Sequence, residues 1–312
     1  MLSPAQLSDR LETSLQVVRS PVDTDPYKML AAAERLVAHG RFEEARIGLI
    51  RSASLLRRRG IRFASMEALE QVNRRLHKAG VARRLAELGE IGRRLASVSE
   101  EAVLVPALRS RRLLVVFGSM FGDYWLSYPV LHCLLPLEST TVLYLRDPSN
   151  MMFLNGLSFF GGGFDALCEG VRALAAEHAL DDIRVMAFSS GGFGGLLFAS
   201  RMRASGYLGL SIRTDLDPQS GLPNDRYVAR SDLLAAAGDL MMDLKPLLQR
   251  PEHSCRGILY YGARSEIDMA HALHLEGVPG FTINGMPDSL HNTVMNLVAE
   301  GKFDGMVRKF LS

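Results

Sequence analysis

The sequence predicts an α/β fold in which a mostly parallel sheet carries helices on both faces and follows an all-helical N-terminal region. Two observations predict this class. From residue 111 onward, short apolar runs alternate with longer stretches of helical periodicity, whereas before residue 100 only helical periodicity is present. Short strands of β-branched and apolar residues that alternate with helices are typical of a parallel sheet, whose strands are buried on both faces.

The N-terminal region, which we place at residues 1–105, consists of consecutive helical patterns. Asp25 and Pro26 suit an N-cap followed by a first helical turn. Apolar residues then recur at helical spacing until Gly40 ends the run. The region is therefore predicted to be a series of short helices separated by glycine turns.

Residues 31–60 resemble one tetratricopeptide-type helical hairpin, whose second helix we expect to end near Gly60. Further helices are predicted at 65–78 and 81–97. A single hairpin does not indicate a repeat array, because stacked repeats need neighbours that cover their apolar faces. Residues 26–97 are predicted as a surface that docks a protein partner or mediates self-association.

The second region, which we place at 106–312, carries the sheet. Its predicted strands are residues 113–117, 140–145, 183–188, 207–212, 257–261 and 280–284. The predicted helices are residues 164–179, 191–204, 231–241, 268–276 and 292–301. Residues 101–108 offer one more strand, and residues 213–250 lie between two core strands, where we expect a cap over the site.

Composition excludes several classes of protein. Hydrophobic residues make up 47% of the 312 residues and charged residues 22%, so the chain can bury a core without a disulfide or metal. Cys133, Cys168 and Cys255 are too few and too widely spaced for a zinc ribbon or a disulfide framework. Together with the lack of a signal-like segment or a long apolar run, this predicts a cytoplasmic chain with no membrane span.

Charge gives little reason to expect a nucleic-acid partner. The formal net charge is only +2, and the arginine pairs at 74–75, 83–84 and 93–94 do not recur on one helix face. We therefore interpret them as solvated surface. No dinucleotide or phosphate-loop motif is present, and no cofactor is expected.

The residues after the strand at 183–188 carry the strongest functional signal. Ser189 stands between this strand and a glycine-rich helix start, with Ala187 two residues before it and Gly191 two residues after it. A nucleophilic serine on a sharp strand-to-helix turn needs small side chains at both positions. Ser190 fits less well, because Phe188 would then occupy one of them. Ser189 is the predicted nucleophile.

The partners of a serine on such a turn follow it in the order acid, then histidine. His291 lies after the last predicted strand and before the last predicted helix, which makes it the candidate base. The acid is expected after the strand at 257–261, where Asp268 is the first choice and Glu266 the alternative. Helical spacing also suggests a metal site of Asp268, His271 and His274, but three-residue steps spread the outer pair, so no metal is predicted.

Acyl transfer through a serine also needs backbone N–H groups that stabilise an oxyanion. One donor is expected from Ser190, which directly follows the nucleophile. The other is expected from the loop after the strand at 113–117, from either Ser119 or Met120. The sequence leaves this choice open.

Taken together, LLVVFGSMFG, AFSSGGFGGLLFA and the order Ser189, Asp268, His291 resemble the α/β-hydrolase superfamily over residues 111–312. Ala187 stands where that family usually has a glycine. Within the family, YLRDPSNMMFLNGLSFFGGGFDAL resembles a bacterial subgroup associated with polysaccharide or glycoconjugate biosynthesis. The subgroup resemblance implies substrate contacts from Arg146 and Asn155 and a small-molecule or glycan acyl substrate.

These residues predict a serine-dependent acyl-transfer enzyme, either an esterase or thioesterase or an acyltransferase. It would use an acyl-enzyme intermediate, and sequence does not separate transfer to water from transfer to another acceptor. The alternative prediction is a non-catalytic module with the same fold, which binds partners through its N-terminal helices, since fold alone does not guarantee chemistry.

Overall fold

The computed structural model describes residues 4–20, 25–58, 64–224 and 227–312. The N-terminal helices are α1 Pro4–Arg19, α2 Pro26–Ala38, α3 Phe42–Arg58, α4 Ala64–Lys78, α5 Val81–Glu87 and α6 Gly89–Ala96. The predicted cap is confirmed, because the Asp25 carboxylate accepts hydrogen bonds from the backbone N–H groups of Tyr27 and Lys28 at 3.0 and 3.3 Å. The helix end expected near Gly60 lies outside the described residues.

The single helix predicted at 81–97 is wrong, because two helices, α5 and α6, occupy this stretch. Gly89 has a φ of +54°, which lies in the left-handed region. A regular right-handed helix cannot pass through that conformation, which glycine adopts readily. The break separates α5 from α6.

The strands are β1 Ala102–Val105, β2 Arg112–Phe117, β3 Thr140–Leu145, β4 Asp182–Phe188, β5 Gly206–Leu210, β6 Arg256–Gly262 and β7 Phe281–Met286. They form one sheet in the order β1-β3-β2-β4-β5-β6-β7. Neighbouring strands pair in parallel except β1 with β3, which pair antiparallel. The predicted mostly parallel sheet is confirmed, and residues 101–108 do supply an additional strand.

The remaining helices are α7 Tyr128–Leu134, α8 Phe164–Glu177, α9 Gly191–Arg201, α10 Ser231–Leu240, α11 Lys245–Leu248, α12 Glu266–His274, α13 Thr293–Glu300 and α14 Phe303–Leu311. Five of them match predicted helices within a few residues. The short helices α7 and α11 and the terminal helices α1 and α14 were not predicted from periodicity. The helices α7, α11 and α14 have at most nine residues, which leaves too few turns to show a period.

The N-terminal helices share a core with the sheet. Leu36 of α2 and Leu49 of α3 belong to the same buried cluster as Leu114 and Val116 of β2 and Leu297 of α13. A separate cluster on the other face packs α8 and α9 against the sheet. Arg75 of α4 also donates from Nε to the Ala299 carbonyl at 2.7 Å. The helices therefore cover one face of the sheet, and the domain boundary predicted at residue 105 remains a prediction.

Within residues 4–20, 25–58, 64–224 and 227–312, no helix combines the length and the apolar character that spanning a bilayer requires.

Candidate active site

Ser189 occupies a strained turn between β4 and α9. Its φ is +54°, a left-handed conformation that is uncommon for residues other than glycine. Its N–H donates to the Leu210 carbonyl at 3.0 Å, which fixes the turn against β5. A Cβ on Gly191 would lie 2.2 Å from the Gly118 carbonyl oxygen, so a glycine is required there. This arrangement has the geometry of the sharp strand-to-helix turn expected for a nucleophilic serine, and it holds the hydroxyl out at the carboxyl end of the sheet.

The structure brings the three predicted triad residues together. Ser189 Oγ lies 2.7 Å from His291 Nε2. His291 Nδ1 lies 2.9 and 3.0 Å from the two carboxylate oxygens of Asp268. Because an ionised carboxylate can only accept, Nδ1 carries the proton and Nε2 is free to accept the serine proton. The imidazole side chain is 42% exposed, whereas Asp268 is fully buried.

Asp268 is kept ionised by its partners. Burial would raise the pKa of this carboxyl, but the hydrogen bond and charge of His291, together with Arg213, outweigh it and hold the pKa below its usual value. Arg213 donates from Nη1 to Asp268 Oδ1 at 3.0 Å. Ser265 caps α12 by accepting from the Asp268 N–H at 3.3 Å, which places the carboxylate in the first helical turn.

Sequence reasoning missed Arg213. It follows β5 by three residues and lies at the carboxyl edge of the sheet, beside the strand that leads to Asp268. The available signal was its position, since it is the first charged residue after the apolar run at 207–212. Its pairing with Asp268, 55 residues later, left no trace in the local pattern.

Glu266, the alternative acid, is placed away from the histidine. It is the first residue of α12 and is exposed, while Asp268 is buried. Two residues along a helix turn the side chain through about 200°, so both carboxylates cannot face the same imidazole. The structure brings Asp268, and not Glu266, to His291.

His271 and His274 do not join Asp268 in a metal site. His271 accepts from the Thr214 backbone N–H at Nδ1, and its Nε2 lies 3.1 Å from Asn224 Oδ1. Burial, with a smaller effect of Arg213, lowers the pKa of His271 to about 3, so the ring is neutral. His274 instead groups with Asp215 and Asp243, whose ligand atoms lie within 4.8 Å of one another, close enough to hold a cation.

Two backbone N–H groups are available for an oxyanion. Of the two alternatives in the loop after β2, the Ser119 N–H already donates to the Asp123 carbonyl at 2.6 Å. In the part of the chain that is described, Met120 and Ser190 make no such backbone bond, and both line the cavity at Ser189. Met120 is therefore the better placed of the two loop donors.

The cavity above Ser189 has a volume of about 490 Å³. Its lining is mainly apolar and includes Phe121, Trp125, Met152, Phe188, Val228 and Ile267. The segment 213–250, predicted as a cap, contributes Arg213, Tyr227 and Val228 to this lining. Pockets of this size and character bind small organic groups.

The predicted substrate contacts Arg146 and Asn155 do not line this cavity. The Arg146 guanidinium is buried, lies 4.3 Å from the Tyr128 ring and donates to the backbone carbonyls of Leu95, Glu100 and Gly122. Asn155 is exposed, and its carbonyl accepts from the Gly163 N–H at 2.7 Å in a turn. Both residues hold backbone segments in place, away from Ser189.

Comparison with known proteins gives structural matches only. No family model and no curated protein matches the chain. Carboxyl esterase 2 from Tuber melanosporum matches with 14% identity over 67% of this chain and 80% of that chain, at a TM-score of 0.49. MenH from S. aureus matches with 15% identity over 68% and 97%, at a TM-score of 0.44. A 2,6-dihydroxy-pseudo-oxynicotine hydrolase matches with 14% identity over 96% of this chain and 89% of that chain, at a TM-score of 0.46.

The architecture of the chain itself is more informative than these distant similarities. A mostly parallel sheet presents a serine on the sharp turn after β4, an aspartate after β6 and a histidine after β7, all at its carboxyl edge. This is the strand–turn–helix context and the chain order that define one fold. The chain has the α/β-hydrolase fold.

Proposed function

We propose that this chain is a serine hydrolase that cleaves ester or thioester bonds, with Ser189 as nucleophile, His291 as base and Asp268 as the orienting acid. The observation that carries the proposal is the 2.7 Å contact between Ser189 Oγ and His291 Nε2, on an imidazole whose other nitrogen is held by a buried carboxylate. A serine hydroxyl is a weak nucleophile at neutral pH, and an adjacent, oriented base is what activates it.

The reaction follows from this geometry. Ser189 Oγ attacks the acyl carbon while His291 takes its proton, and Asp268 stabilises the imidazolium that forms. The N–H groups of Ser190 and Met120 hold the oxyanion. His291 then gives the proton to the leaving alcohol or thiol as the carbon–heteroatom bond breaks. Water, deprotonated by His291, attacks the acyl-enzyme, and the acid product and free Ser189 result.

The cavity favours an apolar acyl group of modest size, since aromatic and aliphatic side chains dominate its lining. Transfer to an acceptor hydroxyl instead of water would use the same acyl-enzyme. The polysaccharide or glycoconjugate substrate implied by the subgroup resemblance remains a prediction, and so does partner binding through residues 26–97.

The test is labelling and turnover of the whole chain. A fluorophosphonate probe is expected to label the wild-type protein on Ser189, and p-nitrophenyl butyrate is expected to be hydrolysed. Ser189→Ala should abolish labelling and lower kcat by a factor on the order of 10⁶. Ser200→Ala, a serine of the same helix α9 outside the cavity, is the matched control. Labelling that persists in Ser189→Ala would reject this nucleophile.

Complete absence of labelling and turnover in the folded wild-type chain would instead favour the non-catalytic binding module. If the wild-type chain does turn over esters, adding a primary alcohol to the assay distinguishes hydrolysis from acyl transfer. A hydrolase forms mainly the acid, whereas an acyltransferase forms mainly the new ester.

A further inference from the structure

A second cavity lies next to the catalytic one, beneath the N-terminal helices. It has a volume of about 460 Å³, and its walls come from α1, α2, the end of α6, the loop at 121–127 and the start of α7. Phe121, Asp123 and Trp125 of this loop line both cavities. We call these three residues the shared wall. It is the boundary between the space at Ser189 and the space under the helices.

The shared wall is held in place by the N-terminal region. The Trp125 indole Nε1–H donates to Glu34 Oε1 of α2 at 3.1 Å. The Ser127 N–H, two residues later, donates to the Ala38 carbonyl at the end of the same helix at 2.9 Å. Helix α2 therefore fixes both the side chain and the backbone of this part of the loop.

Trp125 needs such support because its backbone is strained. Its φ is +67°, which is an unfavourable conformation for a bulky residue. Within the loop, the Trp125 N–H donates to Asp123 Oδ1 at 3.2 Å, and the Ser119 hydroxyl donates to the same oxygen at 3.1 Å. These bonds hold the turn, while the contact with Glu34 sets the direction of the indole ring.

Phe121 marks the outer edge of the wall. Its side chain is 65% exposed although it lines both cavities, so an aromatic ring faces solvent where the two spaces adjoin. An exposed aromatic ring at the edge of an apolar cavity is a contact surface for an apolar ligand. The wall is thus a partition within a larger apolar space.

We propose that Trp125, positioned by Glu34, is a specificity-determining residue that limits the length of the acyl chain accepted at Ser189. The inference rests on the proposed function. With the indole in place, the acyl chain is confined to the catalytic cavity. If the ring is removed or released, the cavity joins the space under α1 and α2, and longer chains fit. The N-terminal helices then form part of the substrate site.

The test is a series of p-nitrophenyl esters from acetate to dodecanoate, assayed with the full-length chain. Wild type is expected to prefer the short esters. Trp125→Ala should raise the ratio of kcat/KM for decanoate to that for butyrate at least tenfold. Glu34→Ala should change the ratio in the same direction. Glu34→Gln should match wild type, because an amide oxygen still accepts from the indole N–H. Glu67→Ala, at an exposed glutamate of α4, is the matched control.

Fluorescence provides a readout that does not depend on turnover. Trp125 is the single tryptophan of the chain, so all tryptophan emission reports on the shared wall. Emission should shift to longer wavelength in Glu34→Ala and stay unchanged in Glu34→Gln. An unshifted spectrum in Glu34→Ala overturns the role of Glu34.

The possible failures can be told apart. Ester hydrolysis that depends on Ser189, with the same chain-length profile in wild type, Trp125→Ala and Glu34→Ala, overturns the inference and leaves the proposed function standing. Absence of Ser189-dependent hydrolysis at every chain length overturns the proposed function itself and, with it, the acyl-length assignment.

Discussion

Arg213 and Asp268 form a buried ion pair in which Arg213 Nη1 lies 3.0 Å from Asp268 Oδ1, the oxygen that also lies 2.9 Å from His291 Nδ1. The carboxylate is therefore fixed from two sides, by an arginine after β5 and by the histidine after β7. This pairing gives the acid both its orientation and its charge, because neither partner alone satisfies a fully buried carboxylate.

Loss of the arginine should change the pH dependence of the reaction. Arg213 contributes to the lowered pKa of Asp268, so Arg213→Met should raise that pKa. The acid limb of the kcat/KM profile is then expected to move to higher pH. Arg213→Lys keeps the positive charge and should therefore reverse part of this shift. Arg250→Met, at an exposed arginine of the same segment, should leave the profile unchanged. A uniform loss of activity with no shift would contradict the electrostatic role.

The two acid candidates separate cleanly by substitution. Asp268→Asn cannot hold His291 in the tautomer that accepts the serine proton, so kcat is expected to fall by about 10⁴-fold. Glu266→Gln removes an exposed carboxylate two residues earlier on the same helix and should retain wild-type kcat. Steady-state ester hydrolysis measures both. The reverse ranking would assign the acid to Glu266.

The glycine two residues after Ser189 should be intolerant of a side chain. A Cβ at Gly191, the first residue of α9, would meet the Gly118 carbonyl oxygen of the loop after β2 at 2.2 Å. Gly191→Ala is expected to lower the free energy of unfolding by about 1–3 kcal/mol and to reduce kcat.

Gly238 in α10 is the control for that experiment, since a Cβ there meets nothing within 4 Å. Gly238→Ala is expected to raise the free energy of unfolding by about 0.5–1 kcal/mol, because alanine loses less backbone entropy in a helix. Urea denaturation of both variants checks the pair. Equal stability of Gly191→Ala and wild type would show that the turn can relax.

Buried His271 makes stability depend on pH. Its pKa is lowered to about 3 in the folded chain, so between that value and the unfolded pKa near 6.5 the unfolded chain binds the extra proton. The contribution of His271 to the free energy of unfolding is fully present above about pH 6.5. It decreases as the pH falls from there toward 3, by about 1.4 kcal/mol per pH unit.

Urea denaturation at pH 7 and pH 5 tests this dependence. His271→Gln is expected to lose less stability over that interval than wild type does, whatever its stability at pH 7. His77→Gln, at a histidine whose side chain is 61% exposed, should keep the wild-type pH dependence. An identical pH dependence in all three proteins would show that His271 does not carry it.

The proposed triad could be predicted from the sequence because parallel strands bring their carboxyl ends to one edge of the sheet. Ser189, Asp268 and His291 each follow a recognisable strand, so their order and position predicted their meeting. The choice between Ser119 and Met120 was not accessible. It depends on where one backbone N–H points, and every residue at that position has the same N–H.

The contacts that escaped prediction join distant segments without a local signature. Glu34 and Trp125 are 91 residues apart, and neither follows a motif that indicates the other. The subgroup resemblance implies a substrate contact from Arg146, yet the partners of this side chain are backbone carbonyls, which any sequence provides. Side chains that bind main-chain atoms leave no pattern in the residues they contact.

Strand β1 has a consequence for any attempt to isolate the catalytic part. Its residues Ala102–Val105 cover the outer side of β3, whose six residues, Thr140–Leu145, are all buried. A fragment that begins at residue 106, after the predicted N-terminal region, would lack β1 and leave that apolar strand with an open row of amide and carbonyl groups, a template for intermolecular β-pairing. Such a fragment should precipitate even if every residue that performs the chemistry is retained.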